Sequence, residues 1–158
     1  MEKKDVVNVM NDCEKRLAYD SGVYLLEMYL KQEQSLKIGA RGNFTFFPGY
    51  YFYCGTAQQY LRARLERHLR QKKKFHWHID YFLQVTEIET IYCWPDESSR
   101  ECELASDLLA VPESKVPVEG FGASDCGCRT HLLYFTERPE YIVGIENRGA
   151  DIYWLNES

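Results

Sequence analysis

Gly49-Tyr-Tyr-Phe-Tyr-Cys-Gly-Thr-Ala57 and, three residues later, Leu61-Arg-Ala-Arg-Leu-Glu-Arg-His-Leu69 decide how this chain is read. The first run is aromatic and closes on Gly55, the composition of a strand ending in a turn. The second run changes period: Leu61, Leu65 and Leu69 recur at i, i+4 and i+8, which predicts a helix with a buried edge. Arg64, Arg67 and His68 lie one step round, on an adjoining face. Lys72, Lys73 and Lys74 then end the helix with cations, where its dipole favours them.

Working outward, the run from Gly22 to Leu30 is strand-like, and Gln32 to Gln34 breaks it. Leu36-Lys-Ile with the following glycines predicts a second short strand and a turn, and Pro48-Gly49 a further turn. Downstream, His76 to Leu83 predicts a second short helix and 86–93 an alternating strand. Pro95 to Ser99 reads as a turn with an N-cap for a third helix over Arg100 to Ala110, with Leu104, Leu108 and Leu109 facing inward. A loop punctuated by Pro and Gly follows, then a polar turn at 125–131 running into a strand, and Tyr141-Ile-Val and Ile152-Tyr-Trp-Leu predict final strands. The expected fold class is α/β in the α+β sense: a small, mostly antiparallel sheet flanked by three helices, with an inserted hairpin at about 33–48 and extra C-terminal strands. Residues 1–20 are expected to form a helix or arm, 21–135 the domain, and 136–158 an extension packed on it.

With 158 residues the chain is long enough for one domain with a sizeable core. A hydrophobic fraction of 45% beside 27% charged residues excludes a disordered or collagen-like chain. No apolar run approaches the roughly 20 residues of a membrane span, and the charged start is not a secretory signal, so a soluble cytoplasmic protein with no membrane partner is expected. In that compartment Cys13, Cys54, Cys93, Cys102, Cys126 and Cys128 read as thiols or metal ligands rather than disulfides. The net charge of −5 hides an asymmetry: residues 62–74 hold seven of the 19 Lys and Arg and one acid, against 12 basic and 23 acidic residues elsewhere. One basic stripe on an acidic protein points to a focused anion site.

Gly22-Val-Tyr24 and Tyr53-Cys-Gly55 resemble the two half-motifs of the GIY-YIG nuclease superfamily. The more specific resemblance is to its domain-of-unknown-function 123 branch. It is carried in order by Gly49–Ala57, Arg64-Leu-Glu-Arg-His68, His76-Trp-His-Ile-Asp-Tyr81, Glu101-Cys-Glu-Leu-Ala105 and the run from Phe121 to Leu132. The match departs from the superfamily in three places. The half-motif tyrosines Tyr24 and Tyr53 have 28 residues between them where about ten are usual, which is where the hairpin is inserted. Thr56 stands where some members carry Lys, and the late Asn has no clear counterpart, Asp125 and Asn147 being the candidates.

Phosphodiester hydrolysis needs an activated water, a cation on the phosphate and a proton for the leaving oxygen. The resemblance implies that Tyr24 and Tyr53 organise the water, with Tyr53 favoured as general base if nearby cations lower its pKa. It implies that Arg64 holds the scissile phosphate, that His68 moves a proton, and that Glu101 binds one Mg²⁺ or Mn²⁺. Without the resemblance, the two tyrosines read as half-buried strand residues, the basic face as solvated, and Glu101 as a first-turn acid complementing the helix dipole. Arg62, Arg67, Arg70, Lys72, Lys73 and Lys74 are read as steering backbone phosphates rather than as catalytic.

His76, His78, Asp125, Cys126, Cys128 and His131 are site-lining candidates. Cys126, Cys128 and His131 supply three zinc-type ligands where structural zinc wants four, so zinc is the less favoured cofactor and would need His76, His78, Cys54 or Cys102 to complete it. The leading expectation is a metal-dependent endonuclease acting on DNA, in repair and with a repair-protein partner. Two others stand beside it: a non-catalytic nucleic-acid-binding module with a degenerate site, and a small zinc-stabilised interaction protein. Substrate shape, DNA against RNA, and oligomeric state are not legible in the sequence.

Overall fold

A computed structural model describes residues 19–95, 100–124, 126–146 and 149–155. The N-terminal arm, the 96–99 turn, Asp125 and Asn147 therefore fall outside the described residues, apart from the arm's last two positions. In chain order the elements are β1 (Gly22–Leu30), β2 (Gln34–Lys37), β3 (Asn43–Phe46), β4 (Gly49–Ala57), α1 (Leu61–Leu69), α2 (His78–Phe82), β5 (Glu87–Trp94), α3 (Arg100–Leu109), β6 (Leu132–Phe135), α4 (Tyr141–Glu146) and β7 (Asp151–Trp154). A 3₁₀ turn at Gly39–Arg41 joins β2 to β3.

Five strands form one antiparallel sheet in the order β6-β4-β1-β5-β7, and β2 with β3 makes the separate inserted hairpin. The expected α+β architecture is the observed one. β1 is central, buried on both faces, and reads accordingly as a nearly unbroken apolar run. Because strand side chains alternate between faces, the sheet divides the core in two. Tyr24, Leu26, Met28, Tyr51 and Tyr53 face α1, α2 and the hairpin, where they meet Leu61, Leu65, Leu69, Phe82 and Phe46. Val23, Leu25, Phe52 and Cys54 face α3 and α4, where they meet Leu104, Leu108, Ile142 and Ile145.

One local expectation is corrected. Tyr141-Ile-Val begins the short helix α4 instead of a strand. Its β-branched composition favours a strand, but Ile142 and Ile145, three apart and both fully buried, form one helical face against the sheet. The run at 152–155 does pair, as β7 on β5.

α1 begins without a local cap: Tyr60, just before it, has φ 60 and offers no side-chain capping bond. Asp20, two residues before β1, supplies the missing acceptors, its carbonyl taking the Leu61 N–H at 3.1 Å and its Oδ1 the Arg62 N–H at 3.2 Å. That contact ties the start of the basic helix to the start of the central strand, and so fixes α1 over Tyr24.

Candidate active site

β1 and β4 are paired so that Tyr24 lies opposite Gly55, with Leu26 opposite Tyr53. The glycine is required at this point. A Cβ on residue 55 would fall 2.3 Å from Tyr24 Cζ and 2.5 Å from its Oη, so the Tyr24 ring lies across the bare backbone of β4. From there the Tyr24 hydroxyl meets His68 Nε2 at 2.8 Å, and both groups are buried. The Tyr24 and Tyr53 ring centroids are 6.4 Å apart, and Tyr53 lies the same distance from His68.

His68 therefore turns inward from the basic face of α1, leaving 1% of its surface exposed. Burial first, and then the nearby Lys73 charge, push its pKa down to about 3, so the ring is neutral at pH 7. His68 Nδ1 is buried and makes no hydrogen bond among the described residues. Both phenols are pushed above their ordinary range, chiefly by burial. For Tyr24 the neighbouring Tyr53 adds to the rise, for Tyr53 the Glu101 carboxylate does, and in each case Arg64 offsets part. The cations of α1 thus do not lower either phenol below its ordinary value, because desolvation of the phenolate outweighs them.

Arg64 is fixed from two sides. It donates through Nη1 to the Thr56 carbonyl, and its guanidinium lies over the Trp77 ring at 4.7 Å from the centroid. Arg67 lies over the same ring at 4.5 Å and donates two hydrogen bonds of 2.9 Å to the Asp80 carboxylate. Asp80 is fully buried and also accepts the backbone N–H groups of His76 and Trp77 at 2.8 and 2.9 Å. Burial alone would raise its pKa, but the Arg67 fork and the two N–H groups hold the carboxyl below its ordinary range.

The other basic residues divide. Lys73 Nζ caps α1 by donating to the Arg67 and His68 carbonyls, each at 3.0 Å, and Arg62 pairs with Asp20 at 3.6 Å. Arg70, Lys72 and Lys74 are exposed, with the Lys74 carbonyl accepting from Arg67. Of the cations read as phosphate-steering, Arg67 is thus committed to Asp80 and Lys73 to the helix end.

Glu101 stands in the first turn of α3, its carboxylate about one-fifth exposed, while Glu103 faces outward. The Glu101 charge reaches the two phenols and raises both, and its carboxylate is a ligand of the type Mg²⁺ or Mn²⁺ takes. Its near neighbour is His131, whose Nδ1 is 4.0 Å from Glu101 Oε2. The other ring nitrogen of His131 faces two thiols, Cys126 at 3.5 Å and Cys102 at 3.7 Å. Cys102, Cys126, Cys128 and His131 bring their donor atoms within 4.8 Å of one another. His78 Nδ1 accepts the Gly122 N–H at 2.9 Å, which anchors the loop carrying this cluster, and His76 is exposed.

The structure thus gathers Tyr24, Tyr53, Arg64 and His68, and Cys102 joins Cys126, Cys128 and His131. Trp77 and Asp80 were not singled out by sequence. The one available signal was an acid at the third position of a short helix, set among cations, where it can close back on its own N-terminal N–H groups. No curated protein and no solved structure matches the chain. A family profile described as domain of unknown function DUF123 matches residues 23–152, from the second residue of β1 into the first half of β7. The chain belongs to DUF123, a GIY-YIG-like family.

Proposed function

We propose that this protein is a divalent-metal-dependent endonuclease that hydrolyses phosphodiester bonds in DNA. The observation that carries the reading is the convergence of Tyr24, Tyr53, Arg64 and His68, drawn from two strands and a helix, on one spot that the Glu101 charge also reaches. In this reading Arg64, braced by the Thr56 carbonyl and the Trp77 ring, binds the scissile phosphate and holds charge as it develops. Glu101 holds the Mg²⁺ or Mn²⁺, which when bound neutralises phosphate charge and makes water more acidic.

Sequence reading favours Tyr53 as the base, yet Tyr24 has the hydrogen bond to His68. We therefore assign proton movement to Tyr24 and orientation of the water to Tyr53. Tyr24 Oη takes a proton from the water as its own phenolic proton passes to His68 Nε2, so no free phenolate forms in the buried site. The imidazolium that results is opposed by burial and by Lys73, and the incoming phosphate supplies the missing counter-charge.

The test is cleavage of labelled DNA and RNA structures, with Mg²⁺ and with Mn²⁺, by wild type, Arg64→Ala and Glu101→Gln. Wild type is expected to cut DNA, and each variant to lose on the order of 10²–10³ in rate. Undiminished cleavage by Arg64→Ala would sink the mechanism. A second reading has its own support: the phenols are raised and Thr56 stands where some relatives carry Lys. It is a nucleic-acid-binding module without catalysis, and salt-dependent binding that survives Glu101→Gln with no cleavage by any form would establish it.

A further inference from the structure

We propose that Cys102, Cys126, Cys128 and His131 together bind one zinc ion as a closed structural site. The donor set comes first. Three thiolates and an imidazole form a soft, four-membered set of the Cys₃His kind that structural zinc takes, whereas Mg²⁺ and Ca²⁺ want oxygen. Geometry comes second. With Zn–S near 2.3 Å and Zn–N near 2.0 Å, a tetrahedron places sulfur about 3.6 Å from nitrogen and the sulfurs about 3.8 Å apart. His131 Nε2 lies 3.7 Å from Cys102 Sγ and 3.5 Å from Cys126 Sγ, and no two of the four donor atoms are more than 4.8 Å apart. Two of the six edges are thus already at tetrahedral length, and none of the others exceeds it by more than about 1.2 Å.

The third argument concerns what holds the loop. Ser124, Cys126, Gly127, Cys128 and Arg129 are all exposed or half-exposed and add no side chain to either core cluster. Packing therefore gives this run no reason to close on the first turn of α3. His131 at its end is differently placed: its ring is buried, its N–H donates to the Phe121 carbonyl at 2.8 Å, and its carbonyl accepts the Cys54 N–H at 2.9 Å. One rigid ligand on the sheet side, one on a helix and two on an otherwise unpacked turn is the arrangement a metal clip would join. Binding releases the three thiol protons to solvent, so affinity rises with pH.

The site has a further consequence that rests on the nuclease reading. With Nε2 on zinc, His131 Nδ1 lies beside Glu101 Oε2 at 4.0 Å, beyond hydrogen-bond distance. Zinc at this point would seat Glu101 through its chain neighbour Cys102, with the His131 ring held beside the carboxylate.

Full-length protein, purified reduced and without chelator, is expected to contain about one equivalent of zinc by elemental analysis. Cobalt(II) added to metal-free protein should give the intense visible bands of tetrahedral thiolate coordination, and zinc should displace them. Cys126→Ser and Cys128→Ser, on the exposed turn, should each lose the metal with little change in the folded circular dichroism spectrum. Glu101→Gln should keep it. Less than about a tenth of an equivalent after zinc loading, iron in place of zinc, or cobalt bands unchanged in both serine variants would each overturn the proposal. Protein that holds zinc and cuts no nucleic acid keeps this inference and removes the nuclease; protein that cuts DNA and takes no zinc does the reverse.

Discussion

The two faces of the sheet each bury a polar cluster around a β1 side chain, and the clusters differ in how far their hydrogen bonds close. On the α3 and α4 face, Glu27 is 3% exposed and accepts from Arg138 at 2.8 and 3.2 Å and from the Tyr92 hydroxyl at 2.9 Å. Arg138 also donates to the Tyr92 oxygen at 3.1 Å, so the three groups form a ring. On the α1 face, Tyr24 meets His68, and the second nitrogen of His68 is left buried without a hydrogen bond. A closed ring of charge-assisted bonds holds a strand in place. A buried nitrogen with no partner among the described residues costs stability and leaves a position open for a further bond. Similar polar content on two sides of one strand thus marks one side as structural and the other as a candidate for chemistry.

Breaking the closed ring is expected to have the largest effect. Arg138→Ala strands the Glu27 carboxylate and should lower unfolding stability by about 3 kcal/mol in a urea titration, the lower end for a broken buried pair because Arg138 is one-third exposed. The cleavage rate per folded molecule should stay at the wild-type level; a matching fall in rate would erase the contrast between the faces.

Gly55→Ala acts on the other cluster. Its new methyl would overlap the Tyr24 ring and should cost about 1–3 kcal/mol, and the imidazole NMR resonances of His68 should shift as the hydrogen bond is lost. Unmoved His68 resonances would mean that Tyr24 does not depend on the bare backbone opposite it.

The effect that is smallest at neutral pH, and the sharpest, is in pH dependence. The pKa of His68 is lowered on folding, so the unfolded chain binds its proton first and stability falls as pH drops from about 6.5 toward 3. His68→Gln should flatten the plot of stability against pH in that window by up to about 1.4 kcal/mol per unit. His78 and His131, also lowered, should leave a residual slope. A curve parallel to wild type would show that His68 is not held neutral by burial.

Elements whose hydrophobic period matched their surroundings were legible in sequence. The leucine edge of α1, the apolar run of β1 and the hairpin insertion all stand where the residues place them. α4 was not, because its β-branched residues carry a strand propensity that tertiary contact overrides. The half-motif tyrosines and Arg64 could be named from the resemblance, but not the direction in which His68 turns. Its position beside Arg64 and Arg67 reads as a solvated face, and only the packing of α1 over Tyr24 buries it. The role of Asp80, and the choice of Cys102 among the four residues offered as a fourth ligand, were hidden for a different reason. Each matters through a contact with a distant segment, Arg67 in one case and the 126–131 turn in the other, and no local periodicity encodes such a pairing.

The strand order also carries a kinetic meaning. β1 sits at the centre of the sheet, yet its two neighbours, β4 and β5, follow it only after the hairpin and after two helices. Nearly every ladder bond of the central strand is therefore long-range, and loop-closure entropy must be met before any of them forms. Such a chain belongs with the slower folders, in the range of milliseconds to seconds. While it waits, this long, largely apolar strand is open to pairing with other chains, which is its point of greatest exposure to aggregation.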